Sequence, residues 1–194
     1  MVDNFCWIPD AATGGLLSDA AAKPLGETTD KWFMKLNAFE LLSFQMGSAH
    51  AETSGSSSTG SAAGRASFEE FSIEKTVDLA SVPLYGACCA GAHFPTIMLA
   101  CRKAGGSPLL FLMFIFRMVF VTSITWSGGD GEGAVKESIK FKYGALGMQY
   151  TRQLPSGEAD TPIPQYWSMI TNKNELTVPQ IKGSTPTFPP VTQT

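Results

Sequence analysis

Two histidines, four cysteines and a few clustered carboxylates are the side chains of this chain with catalytic or metal-binding chemistry. His50 sits at the edge of a Gly/Ser-rich stretch and His93 follows a short apolar segment. Cys89 and His93 are four residues apart with Gly91 between them, which breaks the helical spacing a two-ligand metal site needs. Cys88 and Cys89 are vicinal, and as helix residues beside Ala87 and Ala90 they read as small buried groups. Glu69 and Glu70 are adjacent, so on a strand they face opposite ways, which does not suit paired acid–base work. The turn from Gly128 to Gly133 has the composition of a phosphate cradle, but no helix follows to supply a dipole. There is no Gly-x-Ser-x-Gly elbow and no Gly-x-x-x-x-Gly-Lys loop. The residue chemistry predicts no catalytic set, no metal and no cofactor.

Composition narrows the class. The chain has 194 residues, enough for one domain with a substantial core. Its net charge of -3 gives no basic footprint, so nucleic acid is not an expected partner. Charged residues make up 16% of the chain against the usual quarter, so Ser, Thr, Gly and apolar groups must form much of the surface, which favours subunit contact. The first residues lack a basic and then apolar leader, so no cleaved signal is expected. The apolar run from Leu109 to Val121 contains Arg117 and falls short of the ~18 residues of a membrane-spanning helix, so no membrane insertion is expected. Reduced thiols are the default reading of the cysteines.

Most segments read as strands. Lys31 to Met46 is rich in aromatic and aliphatic residues, and Phe39 to Met46 could be covered on both faces. Residues 47–65 have little to bury and predict a long mobile loop. Alternation resumes with Phe71 and Ile73, which starts a strand near Glu70. One helix is predicted, with Ser81 as its cap, Pro83 in its first turn, Leu84, Ala87 and Cys88 as its buried stripe and Gly91 as its left-handed stop. Phe94 to Lys103 alternates, with Ile97, Leu99 and Cys101 on one side, and turns back into a long strand from Leu109 to Trp126. That strand is apolar on both faces and needs two covers: a core, and a helix, tail or neighbouring subunit. Ile139, Phe141 and Tyr143 share one parity and Leu146, Met148 and Tyr150 the other, so Gly144 marks a bulge. Tyr166 to Asn172 is the expected last strand. Ten or so strands and one helix predict a mainly β fold, an antiparallel β-barrel with one short flanking α-helix and long extended loops.

The order of these pieces resembles a known family. Phe68 to Asp78 is similar to a strand of form F-x-D-F-x-F-x-K-x-x-D. Ala87 to Pro95, with Cys88, Gly91, His93 and Pro95, resembles A-C-x-x-G-x-H-x-P. Leu99 to Gly106, with Arg102, Lys103, Gly105 and Gly106, resembles L-x-x-R-K-A-G-G. Val119 to Ile124, then Glu137 to Phe141, Tyr143-Gly144 and Tyr150-Thr151, look like the following strands. These are the motifs of the haemolysin-coregulated protein (Hcp) family, the tube proteins of the type VI secretion system. The likeness runs from Asn4 to about Asn174 and is densest from Phe68 to Gly106.

The resemblance implies a structural protein and no enzyme. Six barrels close into a homo-hexameric ring, and stacked rings form the inner tube that a contractile sheath expels. It further implies sheath and spike proteins and effector proteins as partners, assembly in the bacterial cytoplasm, and secretion through the apparatus without a signal peptide. Phe39 to Gly47 looks like the strand that lines the lumen, which puts Ser43 and Gln45 against cargo. The loop 47–65, with Gly47, Ser48, Gly55, Gly60 and Gly64, corresponds to the element that reaches the next ring. Phe71 and the motif residues above, with Gly144, are then core and turn positions.

The chain departs from the family in a longer first connection at 11–30, in apolar Ile115 and Met118, and in a tail after Glu175. The expected organisation is a barrel domain over 1–175 and a proline-containing tail over 176–194. Extra chain covering extra apolar surface is the physical reading of these departures. An alternative is a carrier or adaptor of the same type that builds no long tubes. A toxin extension is not expected, because the tail is shorter than the roughly 50 residues of the smallest domains.

Overall fold

The computed structural model describes residues 2–9, 24–50, 66–103, 109–129, 133–181 and 185–191. Among them are eleven strands and one α-helix. The strands are β1 (Val2–Trp7), β2 (Phe39–Leu41), β3 (Ser43–Gln45), β4 (Ser48–His50), β5 (Ala66–Phe68) and β6 (Phe71–Thr76). After α1 (Ser81–Ala90) come β7 (His93–Lys103), β8 (Leu109–Ser127), β9 (Lys136–Lys142), β10 (Ala145–Tyr150) and β11 (Ile163–Ser168). Every pairing is antiparallel, in the order β2-β1-β7-β8-β9-β6-β3, with β10 joining β8 and carrying β11.

The two ends of that order, β2 and β3, are consecutive stretches of one chain. Only Leu42 lies between them, and its N–H donates to the Glu74 carbonyl at 2.8 Å. Residues 39–45 therefore pair with β1 at one end and β6 at the other, and this wraps the strands into the expected barrel.

Strand β8 changes partner along one of its sides. Leu112 to Arg117 pair with β10, whereas Phe120 to Ser127 pair with β9. The change falls at Met118, whose φ of 53° lies in the left-handed region that non-glycine residues rarely adopt. Across the sheet the chain breaks at the same level, where Gly144 N–H donates to Arg117 O at 2.8 Å. Phe141 and Tyr143 line the barrel core and Leu146 packs against it, whereas Ala145 faces the other core, so the switch of face expected at Gly144 is present. Strand β8 makes the same switch between Phe116 and Val119, and the sequence hides it because both parities there are apolar.

Two cores result. Inside the barrel lie Phe71, Ile73, Ile97, Leu99, Phe116, Ile139 and Phe141, capped by Leu84 and Ala87 of α1. Phe71 stacks on Phe116 at 4.2 Å. On the outer face Phe5, Trp7, Met98, Leu110, Met113 and Ile115 are covered by Phe33 from one side and by Leu176 and Val178 from the other. Ile181, Phe188 and Val191 extend that cover, and Leu110 N–H donates to Val191 O at 3.2 Å.

Three expectations need correction. Residues 33–36 form a 3-10 turn and not a strand, because Asp30 Oδ1 accepts the Trp32 and Phe33 N–H groups and Asn37 ends the turn at φ 51°. The last strand among the described residues is Ile163–Ser168, earlier than Tyr166–Asn172; Pro164 is tolerated because β11 is an edge strand there, pairing among them only with β10. The residue before α1 is Ala80, and Ser81 is its first helical residue, with its hydroxyl used elsewhere. The glycine stop is as expected, with Gly91 at φ 63°.

Candidate subunit interface

The far half of β8, with β9, β6 and β3, forms a four-stranded sheet whose two faces differ in chemistry. One face is the barrel core. The other exposes Gln45, Ser43, Glu74, Lys136, Lys140, Lys142, Thr122 and Thr125. Ser43 Oγ donates to Glu74 Oε2 at 2.9 Å, linking β3 to β6 on the wet side, and Thr122 Oγ1 of β8 donates to Glu70 Oε1, just ahead of β6, at 3.1 Å.

Both edges of this sheet are bare among the described residues. Strand β3 pairs only with β6, and β8 has no β7 partner beyond Phe120. Alternate antiparallel pairing makes β8 and β3 run in opposite directions. An unpaired edge exposes a row of N–H and C=O groups that another strand can satisfy.

Behind the β8 edge, a buried ion cluster fixes α1. Lys75 and Glu137 are fully buried, with Nζ 2.8 Å from Oε1. Lys75 also donates to Asp78 and to Ser81 Oγ. Ser81 Oγ donates to Glu137 Oε1 at 2.6 Å, and Trp126 Nε1 donates to Glu137 Oε2 at 3.0 Å. Asp78 Oδ1 accepts the Ala80 N–H at 2.9 Å, which does the work of a helix cap. The sequence reading missed this cluster. Parity would have found it, since Lys75 follows Phe71 and Ile73 inward and Glu137 precedes Ile139 and Phe141.

The helix then shows an apolar face to solvent. Val82 and Tyr85 are exposed, and Tyr85 meets the exposed Trp126 ring at 5.6 Å. A second apolar surface lies on the β10–β11 flange, where Met148, Tyr150 and Ile163 are exposed. Neither surface was singled out from the sequence.

Ser43 and Gln45 are both exposed on the polar face. Gly47 ends that stretch, its carbonyl accepting Glu69 N–H at 2.9 Å, and Ser48 opens the exposed strand β4. Gly55, Gly60 and Gly64 lie outside the described residues, as do Gly105 and Gly106. Cys88 is half-buried against the core, while Cys89 is exposed, which corrects the reading of both as buried; the helix turns only one of two neighbours inward. His93 is half-buried with its ring 5.5 Å from Phe120, and Pro95 lies in β7 beside the bend at Met118. Arg102 bonds Asp30 at 2.6 Å and Asp3 at 3.1 Å and lies over the Phe5 ring at 4.9 Å, tying the outer cover to the sheet. Lys103 is exposed, with Nζ 5.6 Å from the Phe111 ring. Gly144 packs closely on Ile170, whose Cδ1 would have to shift for a Cβ there, 2.6 Å away. No three His, Cys, Asp or Glu side chains among the described residues are grouped to hold a metal ion. No described helix is long and apolar enough to cross a membrane.

Fold and surface together define a helix-capped antiparallel barrel that leaves a polar sheet with two unpaired edges. A family profile described as "Type VI secretion system effector, Hcp" matches residues 12–150. Protein hcp1 of Pseudomonas aeruginosa is 28% identical over 106 residues, which is 54% of this chain and 65% of that relative, less than two thirds of its length. A solved structure described as a type six secretion system protein is similar at a TM-score of 0.74 and 30% identity, covering 90% of this chain and 100% of that one. Hcp1 from Salmonella typhimurium is similar at a TM-score of 0.66 and 25% identity, over 90% of this chain and 99% of that one. The chain belongs to the Hcp family of type VI secretion system proteins.

Proposed function

We propose that this chain is a structural tube subunit of a type VI secretion system, closing into six-membered rings that stack into the inner tube. The observation that carries this reading is the four-stranded sheet with a polar face and two bare edges of opposite direction. Such edges meet head to tail in an antiparallel pair when one copy follows the next around an axis, and the contact is heterologous, as ring closure requires. The polar face then lines the lumen, with Ser43 and Gln45 towards effector cargo. The segment 47–65, in which Ser48–His50 form β4, reaches the adjoining ring, and sheath and spike proteins are the outer partners. The barrel domain spans 1–175, and 176–194 is an added cover. The subunit works without catalysis and leaves the cell through the apparatus.

Light scattering with negative-stain imaging of the same peak tests the ring. A mass near six subunits with open-centred particles supports it. A monomer at micromolar concentration overturns it in favour of a carrier that builds no tubes. Deleting Thr53 to Ala63 should leave rings that no longer stack; unchanged tubes would remove that loop from the contact.

A further inference from the structure

The bare edges account for the polar face of a joint between copies, and they say nothing about its back. Behind the β8 edge, on the face shared with Glu137, lie Trp126 and the outer residues of α1 and its approach. Leu79 is 65% exposed, Val82 75%, Tyr85 50% and Trp126 47%. All four are large apolar side chains standing in water, and the Tyr85 and Trp126 rings meet at 5.6 Å.

Behind the β3 edge the geometry is matched. Phe44 is the inward residue of β3 and meets the Phe114 ring at 6.2 Å; Phe114 in turn pairs with Met148 of β10. Outward from Met148 along that face, Tyr150 pairs with Ile163. Met148 is 44%, Tyr150 46% and Ile163 67% exposed, a second group of large apolar side chains in water. Neither patch contains a charged residue, as suits the desolvated centre of a protein interface.

We infer that these two patches are partners in a second, apolar layer of the joint. The α1–Trp126 patch of one copy packs on the Met148–Tyr150–Ile163 flange of the next, behind the β8–β3 seam. The occupant is a second copy of this chain. Each patch lies behind one of two complementary edges, so pairing of the edges brings the two apolar patches together within one joint. The inference rests on the ring reading above and deepens it.

The test uses the full chain with Val82→Glu, Ile163→Lys and the two combined. Both side chains are exposed in the free subunit, so circular dichroism and melting of the monomer should not change. Each single variant should dissociate at about tenfold or more higher concentration than the wild type, as expected for removal of an interface anchor. The pair should recover part of that loss, because glutamate and lysine would then face each other. A wild-type ring with both variants unaffected, or with Val82→Glu alone disruptive, overturns the patch pairing and leaves the ring reading intact. A wild type that is monomeric throughout overturns the ring reading and this inference with it.

Discussion

Replacing Lys75 by methionine isolates the buried cluster beneath α1. The substitution keeps the length of the side chain and deletes the charge. It leaves Glu137, fully buried, with only the Ser81 and Trp126 donors, and removes an ammonium 2.8 Å away. Breaking one side of a buried ion pair costs about 3–5 kcal/mol, since the remaining carboxylate stays desolvated without its counter-charge. For a chain of this size that corresponds to a fall in melting temperature of roughly 10 °C. Urea unfolding should show the loss, and amide exchange should place it first in α1, which the cluster anchors. Adding Glu137→Leu should recover much of it, because two apolar groups of similar volume can replace a buried pair at little cost. A loss below about 1 kcal/mol for Lys75→Met, the range of an exposed pair, would refute the reasoning.

In thiol titration of the native protein, Cys89 should react first. Burial pushes the Cys101 thiol up to about 12 and raises that of Cys6, so both should stay silent until the chain unfolds. Burial alone would raise the Asp30 pKa, but the Phe33 N–H, Arg102 and the Trp32 N–H bind the carboxylate and hold it below its usual value. Its contribution to stability is therefore present above the ordinary aspartate pKa of ~3.9 and lost as pH falls through the lowered value. Asp30→Asn should make the acid side of the urea-midpoint profile shallower; an unchanged profile would remove Asp30 from the account. Leu176→Ala, which opens a cavity in the outer core, should cost about 2–4 kcal/mol in urea unfolding, and a loss within error would show that the tail covers nothing that matters.

Much of this architecture was legible because its signals are local. The stop at Gly91, the hairpin of β7 and β8 and the face switch at Gly144 each follow from a residue type or a parity. The second cover over Ile115 could be required but not assigned, since composition cannot tell the chain's own tail from a neighbour. Closure at Leu42 and the bend at Met118 were silent, one depending on distant partners and the other masked by apolar residues on both faces. The parity of Phe71, Ile73 and Lys75, and of Glu137, Ile139 and Phe141, points both charges inward, but which partners satisfy them there depends on contacts across the sheet. The two exposed patches were missed because strand periodicity predicts which face a residue takes, not whether anything covers that face.

The pairing of β1 bears on how the chain is made. This strand leaves the ribosome before either of its partners, Met98 to Lys103 of β7 and Phe39 to Leu41 of β2. Until β7 has been synthesised, Phe5, Cys6, Trp7 and Ile8 have half of their shelter missing and a strand edge open. Non-local pairing of this kind folds slowly and leaves apolar edges open to other chains meanwhile. The chain is thus open to aggregation during its own translation, and spacing its nascent copies apart would protect it.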